Sequence, residues 1–513
     1  MTIMRAIALI LRSFRQPRTA IALAILLVCA FGTGGCAVGP DFVRPAPPPA
    51  TRYTAETLRG EGASARGEGA SVDGQTQHIA LGQNIKGAWW SLFRSDAIDD
   101  LIAQAVDHNR TLAASMATLA QAQELALARA GSQYPQVDLV AGAGRQQYGK
   151  EFLGPIGIPP FTYFAVGPTV SYTLDYTGGV ARSVEQQYAL AEVERHQLDA
   201  AYLAVTGRAV MQMLTIASVR AQIATVETIL AQDRDNLRLV QSAFDNGSVA
   251  REDIVSAQSQ TANDMTLLPP LRQELATARH ALAVVLGRAP ASELPGDVDL
   301  AQITLPLQVP VSLPSELAHR RPDILAAEAR LHAATSAVGV AQSNLYPKIQ
   351  LSASVGQQSL KADQLFDRAN NAWSIISGLT APVFDGGTLR AEKRAAVDAM
   401  HASAASYEQT VLEAFAQVAD LLEGLDHDAE QLDAQAHARQ AAQSSLELAR
   451  TSYQEGNAGL LQVLDAERSF QQARLGYVRA TAQRYLDTVQ LFLALGGTSP
   501  VTAQLRSEPP RVL

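Results

Sequence analysis

The chain carries one unit twice. Tyr134-Pro-Gln-Val-Asp-Leu139 aligns with Tyr346-Pro-Lys-Ile-Gln-Leu351, Gly178-Gly179 with Gly386-Gly387, Phe244-Asp-Asn-Gly247 with Tyr453-Gln-Glu-Gly456, and Leu286-Gly287 with Leu495-Gly496. The order is kept and the offset stays near 210 residues, drifting only where loops differ in length. That period is far too long for a solenoid, whose units run to about 20–50 residues. It is a tandem duplication, and each half must encode the same secondary structure.

Each half opens on a helical stretch, about 97–131 and 315–344, followed by strand candidates. Val170, Tyr172 and Leu174 alternate with Thr169, Ser171, Thr173 and Asp175. Ile349, Leu351, Ala353 and Val355 alternate with Gln350, Ser352, Ser354 and Gly356. Strict period two gives one apolar and one polar face. Residues 136–146 and 373–384 fit a strand less cleanly, and 148–164 and 360–372 read as exposed loops. A very long helix comes next. From Ala181 to Phe244 there is no proline, and Gly207 is the only glycine. Ile216, Val219, Ile223, Val226, Leu230, Leu237, Val240 and Phe244 keep 3–4 spacing, with Asp233 as the single break. Val411, Phe415, Val418, Leu422, Leu425, Ala429, Leu432 and Ala436 repeat it in the second half. This is a coiled-coil seam. Turns at Gly247 and Gly456 form the helix-hairpin tips, and return helices run over about 250–287 and 458–495.

Four strands cannot close a barrel, for which about eight is the practical minimum. An open sheet cannot stand in lipid with unpaired edges. Two chains would supply eight strands and three would supply twelve, and twelve leave a lumen suited to polar Thr, Ser, Gln and Gly faces. Composition agrees: 47% of residues are apolar, yet no run of 18 or more apolar residues occurs after about residue 35. That excludes a helical span downstream of the N-terminus but not membrane strands. The net charge of −9 and the lack of a basic block downstream of the N-terminus argue against nucleic-acid binding. No phosphate-binding loop, nucleophile elbow or zinc-protease motif is present, so no catalytic residue and no metal ligand is assigned. Asp426-His427-Asp428 reads as a solvated helix face, and Trp89, Trp90 and Phe93 as packing for the arm that precedes them. Arg320-Arg321-Pro322-Asp323 reads as a helix start.

The first residues are an address. Arg5, Arg12, Arg15 and Arg18 precede the apolar stretch 20–32, which is too short for a stable span and reads as a secretory signal. It ends Thr33-Gly34-Gly35-Cys36, which resembles a bacterial lipobox with Thr33 where leucine is usual; Cys29 is the poorer candidate. In bacterial lipoproteins Ala37 after the cysteine implies release to the outer membrane. Domain boundaries follow: signal peptide 1–35, lipidated flexible N-terminal arm 36–88, first repeat 89–295, second repeat 296–497, flexible tail 498–513.

Cys36-Ala-Val-Gly-Pro-Asp-Phe-Val-Arg-Pro45, Trp89-Trp-Ser-Leu-Phe93, Arg320-Arg-Pro-Asp-Ile324, Tyr346-Pro347, Phe384-Asp-Gly-Gly387, and Tyr453 through Gly456 to Val463-Leu-Asp-Ala466 span nearly all of the chain beyond the signal. Together they resemble the TolC-like outer-membrane efflux factors, most closely the lipoprotein branch of NodT/OprM-type subunits. The resemblance implies a mainly α fold with a membrane β part, in which three copies share a twelve-stranded β-barrel and a coiled-coil α-barrel. It implies a passive, non-enzymatic homotrimeric duct in the outer membrane, extending into the periplasm. Its partners would be outer-membrane lipid, a periplasmic adaptor and an inner-membrane efflux pump. It implies no cofactor beyond a covalent lipid on Cys36. It also implies a periplasmic aperture at Leu461 and Asp465, and a closing network in which Tyr453 partners Asp253. Ala458 and Gln462 stand where some members have an arginine and a second aspartate, and Arg251 is the nearby candidate to substitute. Two other classes compete: a coiled-coil structural lipoprotein of the envelope without channel activity, and a periplasmic enzyme, which the empty motif search disfavours.

Overall fold

The computed structural model describes residues 37–46, 49–54, 77–85, 88–149 and 159–497. The signal segment, Cys36, most of the arm and the tail from 498 lie outside the described residues. Chain order is β1 (His78–Leu81), α1 (Asp96–His108), α2 (Arg110–Gly131), β2 (Gln136–Gln146), β3 (Phe161–Leu174), α3 (Gly179–Asp245), α4 (Arg251–Met265), α5 (Leu268–Val285), β4 (Gln308–Val311), α6 (Pro322–Ser343), β5 (Lys348–Ser359), β6 (Asn371–Thr380), α7 (Thr388–Gln454) and α8 (Leu460–Ala494). Helix, two strands, 67-residue helix and return segment therefore occur twice. At 1.5 Å per residue each long helix measures about 100 Å.

The chain divides into two compact units. The first holds residues through Arg44, 121–192 and 329–405. Its centre is an antiparallel sheet ordered β2-β3-β5-β6. The register aligns Val137 with Val170, Val170 with Ala353 and Ala353 with Ile375. Directly paired residues face the same side, so one face carries Val137, Leu139, Tyr172, Leu351, Trp373 and Leu379. The other carries Gln136, Ser171, Ser352 and Ser374. β3 reaches back to Phe161, so residues 161–164, read as loop, extend the sheet. The two repeats meet at β3–β5, where Gly167 and Gly356 approach closely. A Cβ on Gly167 would lie 2.2 Å from the Val355 carbonyl oxygen.

Residues 37–45, expected as part of a flexible arm, are instead a docked strap in the portion that belongs to this unit. Val38 N–H donates to the Thr177 carbonyl at 2.9 Å. A Cβ on Gly39 would lie 2.5 Å from Gly339 Cα, so backbone touches backbone. Asp41 pairs with the buried Arg182, whose Nη1 also donates to Glu185 at 2.7 Å. Phe42 stacks on His332 at 4.4 Å, and His332 Nε2 lies 2.8 Å from Glu185. Burial opposes ionisation of Glu185, but hydrogen bonds from His332 and Arg182 outweigh it and hold the carboxyl below its usual range.

The second unit holds 45–120, 193–328 and from 406 onward. Trp89, Phe93, Ile98, Leu214, Leu286 and Phe492 are fully buried in its main core. Trp89 meets Phe93 edge-on, with centroids 6.4 Å apart. The arm ends here as β1, paired in parallel with β4, again a fixed strand where a flexible segment was expected. Asn109 splits the first helical stretch in two. Its Oδ1 accepts from Leu112 N–H at 3.0 Å, and its Nδ2 donates to the Val285 carbonyl at 2.8 Å. The first return helix is likewise broken at Thr266-Leu267, before Pro269-Pro270, because proline supplies no N–H and clashes one turn back. Its counterpart α8 runs unbroken. Pro322 opens α6 as expected, and Arg321 Nε grips Asp323 at 2.9 and 3.1 Å while its Nη1 reaches the Ala494 carbonyl at 3.1 Å. Asp428 is a correction. His427 is exposed, but Asp428 turns inward toward Asp487 and the buried Arg484.

Candidate functional site

The hairpin tips are built alike in both repeats. Gly247 (φ 74°) and Gly456 (φ 76°) take the left-handed conformation that ends a helix. Ser248 N–H returns to the Ala243 carbonyl at 2.8 Å, and Gly247 N–H to Phe244 at 2.8 Å. Asn457 to Ser452 at 2.8 Å and Gly456 to Tyr453 at 3.0 Å reproduce the pair. Thus the carbonyls left over at each helix end are satisfied by the turn itself.

Beyond the turns, the return helices of the two repeats meet. Val240, Ile254, Ala257 and Leu460 form one buried cluster joined by Leu237, Val249 and Leu464. Leu446, Ala449, Val463 and Ala466 form the next, between α7 and α8. Alternation of these anchors along α8 turns Leu461 and Asp465 away from the clusters, and both are exposed. They line a cavity of about 260 Å³ together with Asp233, Ser256, Gln260 and Gln471.

The expected site residues are therefore partly assembled. Leu461 and Asp465 share one surface. Asp253 spends its carboxylate on its own helix, where Oδ2 accepts from Ala250 N–H at 2.9 Å. Tyr453 has its carbonyl in the turn and its ring partly exposed, and Arg251 is exposed at the start of α4. Within one chain no hydrogen bond joins Tyr453 to Asp253 among the described residues; the closing network would have to draw on contacts outside the chain or on another state.

Three sets of contacts escaped the sequence reading, although Asp233 itself stood out there as the seam break. Arg468 pairs with Asp465 along one turn of α8. Glu467 is buried and accepts from Asn236 Nδ2 at 3.0 Å and from Arg450 Nη2 at 3.2 and 3.3 Å. Asp233, the break in the seam, is buried beside Asp264 and Gln471. The i, i+3 spacing of Asp465 and Arg468 and the seam break were the available signals.

Comparison with known proteins agrees with this architecture. The model of the family described as outer membrane efflux protein matches twice, over residues 101–288 and 313–497. The pyoverdine export outer membrane protein OpmQ of Pseudomonas putida is 30% identical over 418 residues, 80% of this chain and 87% of that protein. The toluene efflux pump outer membrane protein TtgF of Pseudomonas putida is 28% identical over 484 residues, 92% of this chain and 97% of that protein. The solved outer-membrane channel OprN superposes with a TM-score of 0.76 at 26% identity, covering 90% of this chain and 99% of that one. The chain belongs to the outer membrane efflux protein family: it is a channel subunit of efflux systems in the outer membrane, a transport duct rather than an enzyme.

Proposed function

We propose that three copies of this chain form one lipid-anchored duct, which carries small molecules from the periplasm to the exterior with a periplasmic adaptor and an inner-membrane pump. The observation that carries this reading is the sheet. β2 and β6 are its two outer strands, so each leaves one edge of backbone groups unpaired within the chain. Its apolar face exposes Leu139, Trp373, Ile375 and Leu379. Edges are met by neighbouring copies, the apolar face by lipid and the polar face by a wet lumen.

The strap supports the anchor. Ala37 rests on Gly178, where a Cβ would lie 2.6 Å from Ala37 Cα. Gly178 lies at the junction of β3 and α3, so an acylated Cys36 would emerge beside the end of a membrane strand. At the tip, Leu461 and Asp465 of three copies would converge as the aperture, with Tyr453, Asp253 and Arg251 closing it across copies. Relatives of similar identity are named for pyoverdine and for toluene, which favours a generic duct whose cargo is chosen by the pump.

Purified protein in planar bilayers tests the reading. It should run as a trimer by native mass and give discrete conductance steps, and Asp465→Ala should change step size or cation block. A monomer without conductance would overturn the duct in favour of a coiled-coil structural lipoprotein.

A further inference from the structure

Asp233 stands in the apolar seam of α3 between Leu230 and Leu237. It is 6% exposed, and its Oδ2 has no hydrogen-bond partner. It opens on the cavity that Leu461 and Asp465 line. From α4, Asp264 comes within hydrogen-bonding reach, while its own Oδ2 accepts from Gln260 Nε2 at 2.8 Å. From α8, Glu467 is 2% exposed and Gln471 has an unpartnered buried Nε2. Arg468 and Asp465 lie outward on the same helix, and Arg474 lies further along it, partly buried. From α7, Arg450 reaches in, committed to Glu467. The other charges of this part of α3, Arg234, Asp235 and Arg238, are exposed, and Arg238 pairs with Asp235.

A like charge beside a buried carboxylate disfavours its charged form, so Asp233 beside Asp264 holds its proton to a higher pH than a carboxyl in water. One proton between them supplies the donor that Asp233 Oδ2 lacks. We propose that Asp233 and Asp264 share a proton that latches α3 to α4 beside the aperture, and that its loss loosens the mouth of the duct. This rests on reading Leu461 and Asp465 as the aperture.

Burial, then the approach of Asp264, pushes the Asp233 carboxyl from 3.8 up to about 7; Glu467 adds to the rise and Gln471 opposes it. A raised carboxyl favours the protonated folded form. The latch is complete below the ordinary value and is given up as pH climbs through about 7. The charge then gained at Asp233 meets Asp264 and Glu467, while Arg450 stays committed to Glu467. Glu467 and Gln471 stand on the same helix as Leu461 and Asp465, within three turns, so repulsion at the cluster displaces the aperture residues directly.

The full-length protein in planar bilayers tests this between about pH 5.5 and about pH 8.5, a span that brackets such a carboxyl. Wild-type conductance should rise severalfold with pH. Asp233→Asn and Asp264→Asn each keep a permanent amide donor for the remaining carboxylate, so both should hold low conductance throughout. Asp428→Asn, which removes a second raised carboxyl elsewhere in the helical unit, should keep the wild-type rise. Infrared difference spectra of wild type against Asp233→Asn at about pH 6 should show the band of a protonated carboxylic acid, fading as pH rises. Melting of both Asn variants at that pH checks that they fold.

No such band, or an unchanged pH profile in both Asn variants, overturns the proposal. A band with conductance flat in pH overturns the latch as a gate. Whether the aperture reading falls with it is read separately from Asp465→Ala, whose conductance departs from wild type only if that reading holds.

Discussion

A carboxylate proposed for a channel mouth acts together with whatever charge stands beside it. Asp465 carries Arg468 one turn along α8, both largely exposed. Such a pair adds under about 1 kcal/mol to stability, but its positive charge offsets part of the field that three aspartates would present at the proposed aperture. Arg468→Ala should therefore leave the melting temperature nearly unchanged while strengthening cation selectivity and cation block, read from reversal potentials in a salt gradient. Unchanged selectivity would place the pair outside the conduction path. Asp465 was singled out by the resemblance of the Val463-Leu-Asp-Ala466 segment, and its exposure beside Leu461 is what the structure adds. Arg468 was legible only as a spacing, because exposed arginines three residues from an aspartate are common on any helix. Asp233 showed itself as a polar residue in an apolar seam, but its partners Asp264 and Glu467 come from helices 31 and 234 residues away, which spacing cannot bring together.

Among elements, the first long helix was read almost to the residue because it is proline-free and its 3–4 seam breaks only at Asp233, while the second was legible as a seam over 411–436 within a helix that runs Thr388–Gln454. β1 was missed. Its four residues follow a Gly-rich stretch, and its partner β4 begins 230 residues later. β2 was blurred because Ala141, Gly142, Ala143 and Gly144 show no apolar alternation. The turn chemistry makes its own prediction. A residue with a Cβ in the left-handed region costs about 1–2 kcal/mol. Gly247→Ala and Gly456→Ala should each expose one tip to limited proteolysis first, with the cut mapped by mass spectrometry. Between α7 and α8, burial and the nearby Asp487 raise the Asp428 carboxyl to about 7, against the pull of Arg484. Its contribution to stability is full in acid and is lost as pH climbs through about 7. Asp428→Asn should flatten that fall, so the variant gains on the wild type in thermal melts at about pH 8.5 relative to about pH 5.5.

At the scale of the whole molecule, the helical unit depends on an aromatic centre shared by distant segments. Trp89 precedes α1 and Phe492 closes α8, and both are buried. Trp89→Ala should lower stability by about 3–5 kcal/mol, measured by denaturant unfolding of the solubilised protein. Duplication has a further consequence at the sheet. The seam between β3 and β5 joins the second strand of one repeat to the first strand of the next. In the proposed trimer the seam between neighbouring copies, β6 to β2, would join the same two kinds of strand. A trimer of duplicated chains is thus quasi-sixfold, and its three bonds between molecules should copy its three bonds within them. Residues 353 and 141 correspond through the Tyr-Pro repeat, and residues 170 and 379 through the hairpin registers. The pair Val170–Ala353 would therefore set Leu379 opposite Ala141 of the next copy, both on the apolar face. Cysteines at 141 and 379 should cross-link subunits into closed trimers under a short thiol reagent. Cysteines at 142 and 379, one residue out of step and on opposite faces, should not.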